Sequence, residues 1–234
     1  MMPTSMGGGG SLKTLPQEQL MIRQMHQTNT TVPQFTAMTD VDMTLTSALR
    51  EYAEPHFQQQ TGARLGFMPF FIKAAAKGLR ASPEINSMMM PTGLWLHDRI
   101  MIAVVINGPK GLLCPAMRDP DQKSVGQIAL ELNDLIERGR EGKLRPEEFF
   151  PSYFSISNGG ALGIKSNIPM VLPPHVAVFG TQAITKQARV VDDQVVVRPV
   201  MEIVLACDHR AVDGEHAGKY LDAFKETVET AQYA

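Results

Sequence analysis

The chain has 234 residues, with 22 Lys and Arg against 24 Asp and Glu, for a formal net charge of -2. That balance gives no electrostatic reason to expect a nucleic-acid partner. Hydrophobic residues make up 44% and charged residues 20%, as in an ordinary globular domain. No apolar run approaches the roughly 18 to 20 residues that a membrane-crossing helix needs.

Residues 1–13, with the run Gly7-Gly8-Gly9-Gly10, carry neither a signal-peptide nor a basic transit pattern and read as a flexible tail or linker. The remainder, 14–234, reads as one domain. Leu15 to Gln27 is a helix with Pro16 in its first turn, ended by Val32-Pro33. From Gln34 to Met43 apolar and polar positions alternate, the pattern of a strand with one buried face. Helices follow over Leu45 to Gln59, bent at Pro55, and over Met68 to Arg80, closed by Pro83. Ile100 to Ile106 is a continuous apolar run, read as a buried strand that turns at Asn107-Gly108. Leu112 to Pro115 leaves that turn as a short strand.

Ser124 to Arg138 is the clearest helix. Val125, Ile128, Ala129, Leu132, Leu135 and Ile136 make one apolar stripe, and Ser124 with Gln127 forms a capping box. Tyr153 to Ile156 is a strand entering Ser157-Asn158-Gly159-Gly160, and Val176 to Phe179 is another. Arg189 to Val191 and Val195 to Arg198 flank Asp192-Asp193 as a hairpin. A last strand ends in Asp208-His209-Arg210, and Ala217, Leu221, Phe224 and Val228 then mark a final helix with Asp213 at its N-cap. Strands and helices mixed in this order predict an α+β, two-layer sandwich with a mixed β-sheet packed on helices.

Several side chains could carry chemistry. His209 stands where a buried strand gives way to a polar turn, and imidazole suits proton transfer near neutrality; it could equally be a solvated loop histidine. Ser157 reads alone as a turn residue before two glycines. Cys207 lies two residues from His209 on the same strand face, but β-carbons about 6.5 Å apart make a poor nucleophile–base pair, so core packing is the better reading. Cys207 and Cys114, both in apolar runs, read as buried thiols of a reducing compartment. His209 and His216 are not accompanied by a ligand set with zinc spacing, so no metal is expected.

Asp208-His209-Arg210-Ala211-Val212-Asp213-Gly214 resembles the Asp-His-Arg-x-x-Asp-Gly signature of the dihydrolipoamide acyltransferase components of 2-oxo acid dehydrogenase complexes; chloramphenicol acetyltransferase carries a related His-x-x-x-Asp-Gly. Pro33-Gln34-Phe35-Thr36 is similar to the family's Pro-His-Phe-Thr, with glutamine in place of histidine. Gly111-Leu112-Leu113-Cys114-Pro115 with Met117-Arg118-Asp119, and Phe154-Ser155-Ile156-Ser157-Asn158-Gly159-Gly160, fall in register with it. The match runs from about Thr14 to the end of the chain.

The resemblance implies a chloramphenicol acetyltransferase-like fold and transfer of an acyl group between a dihydrolipoyl thiol and coenzyme A. His209 would be the general base and Ser157 the oxyanion donor. Asp213 would organise the site, in addition to or instead of capping the helix, commonly through an arginine; Arg23 is the candidate, though it reads more as a surface residue. The resemblance implies a homotrimer with sites between subunits, working with dehydrogenase-complex partners in the cytoplasm, or in the mitochondrial matrix of a eukaryote. A lipoyl domain and its acceptor lysine are not recognisable in the chain, so the lipoyl group is expected from another domain or chain. The ending Gln232-Tyr233-Ala234 lacks the apolar tail by which many relatives join trimers into a cage. The wording Ser-Asn-Gly-Gly leans toward succinyl transfer. Two other readings are a catalytically weak core subunit and a stand-alone acetyltransferase acting on a small acceptor.

Overall fold

The fold is described from a computed structural model covering residues 19–109, 111–149 and 152–234, with side chains from residue 25 onward. The expected tail, the start of the first helix and the Arg23 side chain lie outside the described residues.

The organising element is β11 (Gln194–Asp208), a 15-residue strand. Its odd-numbered residues Met201, Ile203, Leu205 and Cys207 enter the main apolar core, while Ala206 joins a smaller cluster on the other face. A strand buried on both faces reads as a continuous apolar run, which is how Ile203 to Cys207 reads. β1 (Gln34–Asp42) lies antiparallel along one edge of β11. Along its other edge lie β10 (Thr185–Val191) beside the first half and β9 (Ala177–Thr181) beside the second. β8 (Phe154–Asn158) runs parallel to β9, β4 (Met101–Val104) parallel to β8, and β7 (Ala116–Arg118) antiparallel to β4. The sheet is mixed, as expected.

One face of this sheet carries α3 (Met68–Ala81), α4 (Val125–Arg140) and α5 (Gly214–Thr230), with α2 (Thr44–Thr61) packed beside α5; α1 (Gln19–Thr31) leads into β1. The layers meet at an aromatic cluster: the Phe179 ring centroid lies 4.7 Å from that of Phe224 and 5.3 Å from that of Tyr220. All three side chains are fully buried. α3 approaches α5 closely because position 78 is glycine; a β-carbon there would stand 2.8 Å from the Tyr220 ring.

Several expectations need correction. The run Ile100 to Ile106 is not one strand, because β4 ends at Val104 and β5 (Ile106–Gly108) pairs instead with β6 (Gly111–Leu113). Asn107 and Gly108 are therefore strand residues, paired with Leu112 and Gly111, and the chain reverses after them. Pro55 lies inside α2, which continues to Thr61. A second hairpin, β2 (Ser87–Met90) with β3 (Gly93–Leu96), was not legible; Met88-Met89-Met90 has no alternation to mark a strand. Cys207 is buried, but Cys114 is exposed at the end of the short β6.

Candidate active site

β11 delivers the histidine. The Asp208 N–H donates to the Val176 carbonyl at 2.8 Å and the His209 N–H to the Pro33 carbonyl at 3.0 Å, so the strand is gripped from both sides until it stops. The Asp208 carboxylate turns back on the loop, accepting from Arg210 N at 3.0 Å, Nε at 2.9 Å and Nη2 at 2.6 Å. A planar guanidinium held by both carboxylate oxygens is rigid, and Asp208 is buried beneath it. The Ala211 and Val212 N–H groups both donate to the Asp208 carbonyl, and buried Val212 anchors the turn. His209 is left exposed with its ring against Phe35, centroids 4.4 Å apart.

Asp213 caps α5. Its Oδ1 accepts from Glu215 N at 3.0 Å and His216 N at 3.2 Å, and lies 2.7 Å from His216 Nδ1. These contacts, the His216 backbone N–H foremost, hold its carboxyl below the usual aspartate range. His216 is thus half of a capping box. Among the described residues no group of three or more His, Cys, Asp and Glu side chains is arranged to hold a metal ion. Burial, with the Asp208 charge beside it, pushes the Cys207 thiol up to about 12. A thiol that resists ionisation in this way is a packing residue, not a nucleophile.

Ser157 is on a strand, not in a turn: it belongs to β8 and pairs with Gly180 of β9. Phe154 and Ile156 face the helices, so alternation sends Ser157 to the opposite face. Its hydroxyl has no hydrogen-bond partner among the described residues. Of the glycines after it, Gly160 is sterically required, because its neighbours are backbone atoms. A β-carbon at Gly160 would stand 2.3 Å from the Gln182 carbonyl oxygen, and one at Gly159 2.7 Å from Gln182 Oε1.

Within one protomer the two catalytic candidates are far apart. Ser157 is level with Gly180, and Gly180 with Val204. His209 lies five residues beyond Val204, roughly 16 Å along the strand and about 10 Å across two strand spacings. They occupy opposite ends of the sheet. Asp213 stays with His209.

At the Ser157 end a cleft of about 660 Å³ opens, walled by Phe67 and Met68 at the start of α3, Arg50, Arg64, Asn158 and Gln182. The Arg50 guanidinium sits 5.1 Å from the Phe67 ring centroid, and its Nε donates to the Leu65 carbonyl at 3.0 Å.

The family model for the 2-oxoacid dehydrogenases acyltransferase catalytic domain matches residues 12–234, nearly the whole chain. The chain belongs to that family. It is 36% identical over 194 residues to the dihydrolipoyllysine-residue succinyltransferase component of the 2-oxoglutarate dehydrogenase complex of Haemophilus influenzae, covering 83% of this chain and 47% of that protein. The chain thus spans about half the length of the curated relatives it matches.

Among solved acyltransferase-family structures, a probable dihydrolipoamide acetyltransferase from Listeria monocytogenes superposes with a TM-score of 0.91 at 28% identity, over 96% of each chain. The Azotobacter vinelandii dihydrolipoamide acetyltransferase, studied for the catalytic role of a serine, a histidine and an asparagine, also superposes at 0.91. It is 26% identical and covers 99% of this chain and 97% of its own. Chloramphenicol acetyltransferase shares the fold, with a TM-score of 0.55 at 15% identity over 88% of this chain and 94% of its own.

Three features of the candidate site escaped sequence reasoning. The Asp208–Arg210 clamp lay inside the recognised motif without a role. Arg50 and Gln182 belong to no local pattern, and only folding brings them to the cleft beyond the end of β8.

Proposed function

We propose that this chain transfers an acyl group between coenzyme A and a dihydrolipoyl thiol carried by another domain or chain, as the core of a 2-oxo acid dehydrogenase complex. His209 takes the proton from the attacking thiol, which at an ordinary pKa of about 8.5 is mostly protonated at neutral pH. The thiolate adds to the thioester carbonyl, and the negative charge on the oxygen is met by the Ser157 hydroxyl. Collapse expels the second sulfur, which takes the proton back from the imidazolium. Asp213 caps α5 four residues after the histidine and keeps the turn in place.

The observation that carries this reading is a spacing. The serine and histidine studied in the Azotobacter enzyme are 52 residues apart and its asparagine follows four later; Ser157 and His209 are also 52 apart, with Asp213 four later. The chain departs from that enzyme in having aspartate at the third position.

His209 and Ser157 at opposite ends of one sheet require a second copy to complete each site, and the homotrimer that the family resemblance implies would supply it. Apolar surface for such a contact is present on the β10–β11 hairpin, where Val190, Val195 and Val197 are 71%, 75% and 70% exposed. The Haemophilus relative favours succinyl as the acyl group.

The test is acyl transfer from succinyl-, acetyl- and branched acyl-CoA to dihydrolipoamide. Transfer by the wild type and its loss in His209→Ala are expected, with succinyl preferred. An inactive wild type, or a His209→Ala variant as fast as the wild type, would overturn the assignment.

A further inference from the structure

Two histidines stand at the turn after β11, and they are held in different ways. His216 is tied to Asp213 by hydrogen bonds. The His209 side chain is exposed and forms no hydrogen bond or ion pair among the described residues. What it does have is a ring contact: the Phe35 centroid lies 4.4 Å from that of the imidazole, with the two planes inclined at 42°.

This contact follows from the register of the sheet. Phe35 pairs with Cys207 across β1 and β11, so the two share a face, and His209 lies two residues beyond Cys207. A diagonal neighbour of that kind stands about 7 to 8 Å away, within reach of an aromatic side chain. Phe35 is itself well anchored. It packs against the main core, and the chain leading into it is fixed on both sides. The Pro33 carbonyl accepts the His209 N–H at 3.0 Å, while the Gln34 amide donates to the Pro169 carbonyl at 3.2 Å and accepts from the Val171 N–H at 2.9 Å. A fixed aromatic plate thus abuts an imidazole that has no other hold on its orientation.

A histidine without such a plate is free to visit about three staggered wells at χ1 and two broad ones at χ2. Few of these aim a ring nitrogen at an incoming thiol, and a displacement of about 1 Å can cost a hundredfold in rate. We propose that Phe35 is a positioning residue for the general base, its ring restricting the His209 imidazole to the orientation that meets the thiol. This rests on the catalytic role proposed for His209 above.

The experiment follows the histidine ring protons of the full chain by NMR, with turnover measured on the same samples. The His209 signal is identified by its disappearance in His209→Ala. In the wild type the ring current of Phe35 should displace that signal from the free-histidine position. Phe35→Leu keeps an apolar side chain without the aromatic plate and should lose the displacement. Its kcat should fall about fivefold to tenfold, as expected when one orientation is shared among about six wells. KM for acyl-CoA and for dihydrolipoamide should stay as in the wild type. Phe35→Tyr retains the ring and should retain both the displacement and the wild-type kcat.

An undisplaced His209 signal in an active wild type overturns the role of Phe35 alone, even if Phe35→Leu does not fold. A folded Phe35→Leu with the wild-type kcat also overturns it, as does a Phe35→Tyr as slow as Phe35→Leu, or an effect confined to KM. A wild type that transfers no acyl group would sink the catalytic reading and the positioning role together.

Discussion

At the scale of single residues, Asp213 caps α5, and substitution tests whether acyl transfer depends on that cap. Its carboxylate accepts two backbone N–H groups at the start of α5 and sits against the His216 ring. Asparagine offers the same side-chain oxygen and is an equally good N-cap. Asp213→Asn is expected to keep both helix and acyl transfer, whereas Asp213→Ala should lose the cap and most of the activity with it. Circular dichroism and turnover measured together check this; a fully active Asp213→Ala would reduce the residue to a dispensable cap. If Ser157 is the oxyanion donor proposed above, Ser157→Ala should lower kcat by about 10² to 10³ with little change in KM. Both residues could be singled out in the chain, but Ser157 was misread as a turn residue. Ser-Asn-Gly-Gly has turn composition, and only pairing with β9 carries the strand through Asn158.

Among the elements, the α3–α5 contact depends on having no side chain at position 78. Alanine normally favours a helix interior over glycine by about 1 kcal/mol. Here its methyl would press on the Tyr220 ring at 2.8 Å and on the Tyr220 carbonyl at 3.0 Å, and the ring is fully buried and has nowhere to go. Gly78→Ala should therefore be destabilising by about 1 to 2 kcal/mol despite its helix propensity, read as a lower urea midpoint.

The turn Pro146–Phe149 is tied to α4 by Glu148, which accepts from Arg138 Nη1 at 2.8 Å and Nη2 at 2.6 Å and from Arg145 N at 2.6 Å. Arg138 foremost holds the Glu148 carboxyl down to about 2, against 4.5 for a free glutamate. A depressed carboxyl contributes stability that is complete above its unfolded value and disappears as pH falls through its folded one. Stability should accordingly decline between about pH 4.5 and 2, more steeply in the wild type than in Glu148→Gln. Urea midpoints at several acidic pH values test the difference. Elements with a strong local signal were legible: the Ser124–Gln127 capping box is present with both of its bonds, at 2.8 Å and 3.2 Å. The β2–β3 hairpin, with no apolar alternation to announce it, was not.

For the whole molecule, the decisive fact is that His209 and Ser157, the two groups proposed for catalysis, stand at opposite ends of one sheet. Subunits lacking His209 and subunits lacking Ser157 should each be inactive alone yet complement when mixed. If trimers form at random from equal amounts of His209→Ala and Ser157→Ala chains, about a quarter of the sites receive an intact pair. Turnover near that fraction of wild type after co-refolding is the expected result. No recovery, in mixtures shown by native mass spectrometry to contain mixed trimers, would mean that both groups act within one protomer.

What the amino-acid sequence determined by itself was the local and the periodic: which stretches alternate with the sheet, which follow the helix, where Ser124 and Asp213 begin helices, and the run from Asp208 to Gly214 that places the chain in its family. Such features depend on neighbours a few residues away, so they can be read from the order of residues alone. Register, burial and the meeting of distant segments were decided only by the tertiary structure. It set Ser157 and His209 apart, broke the run after Val104, left Cys114 at the surface and brought Gln182 against Gly159. Each of these depends on which strand lies beside which, a long-range choice made by the packing of the whole sheet against its helices.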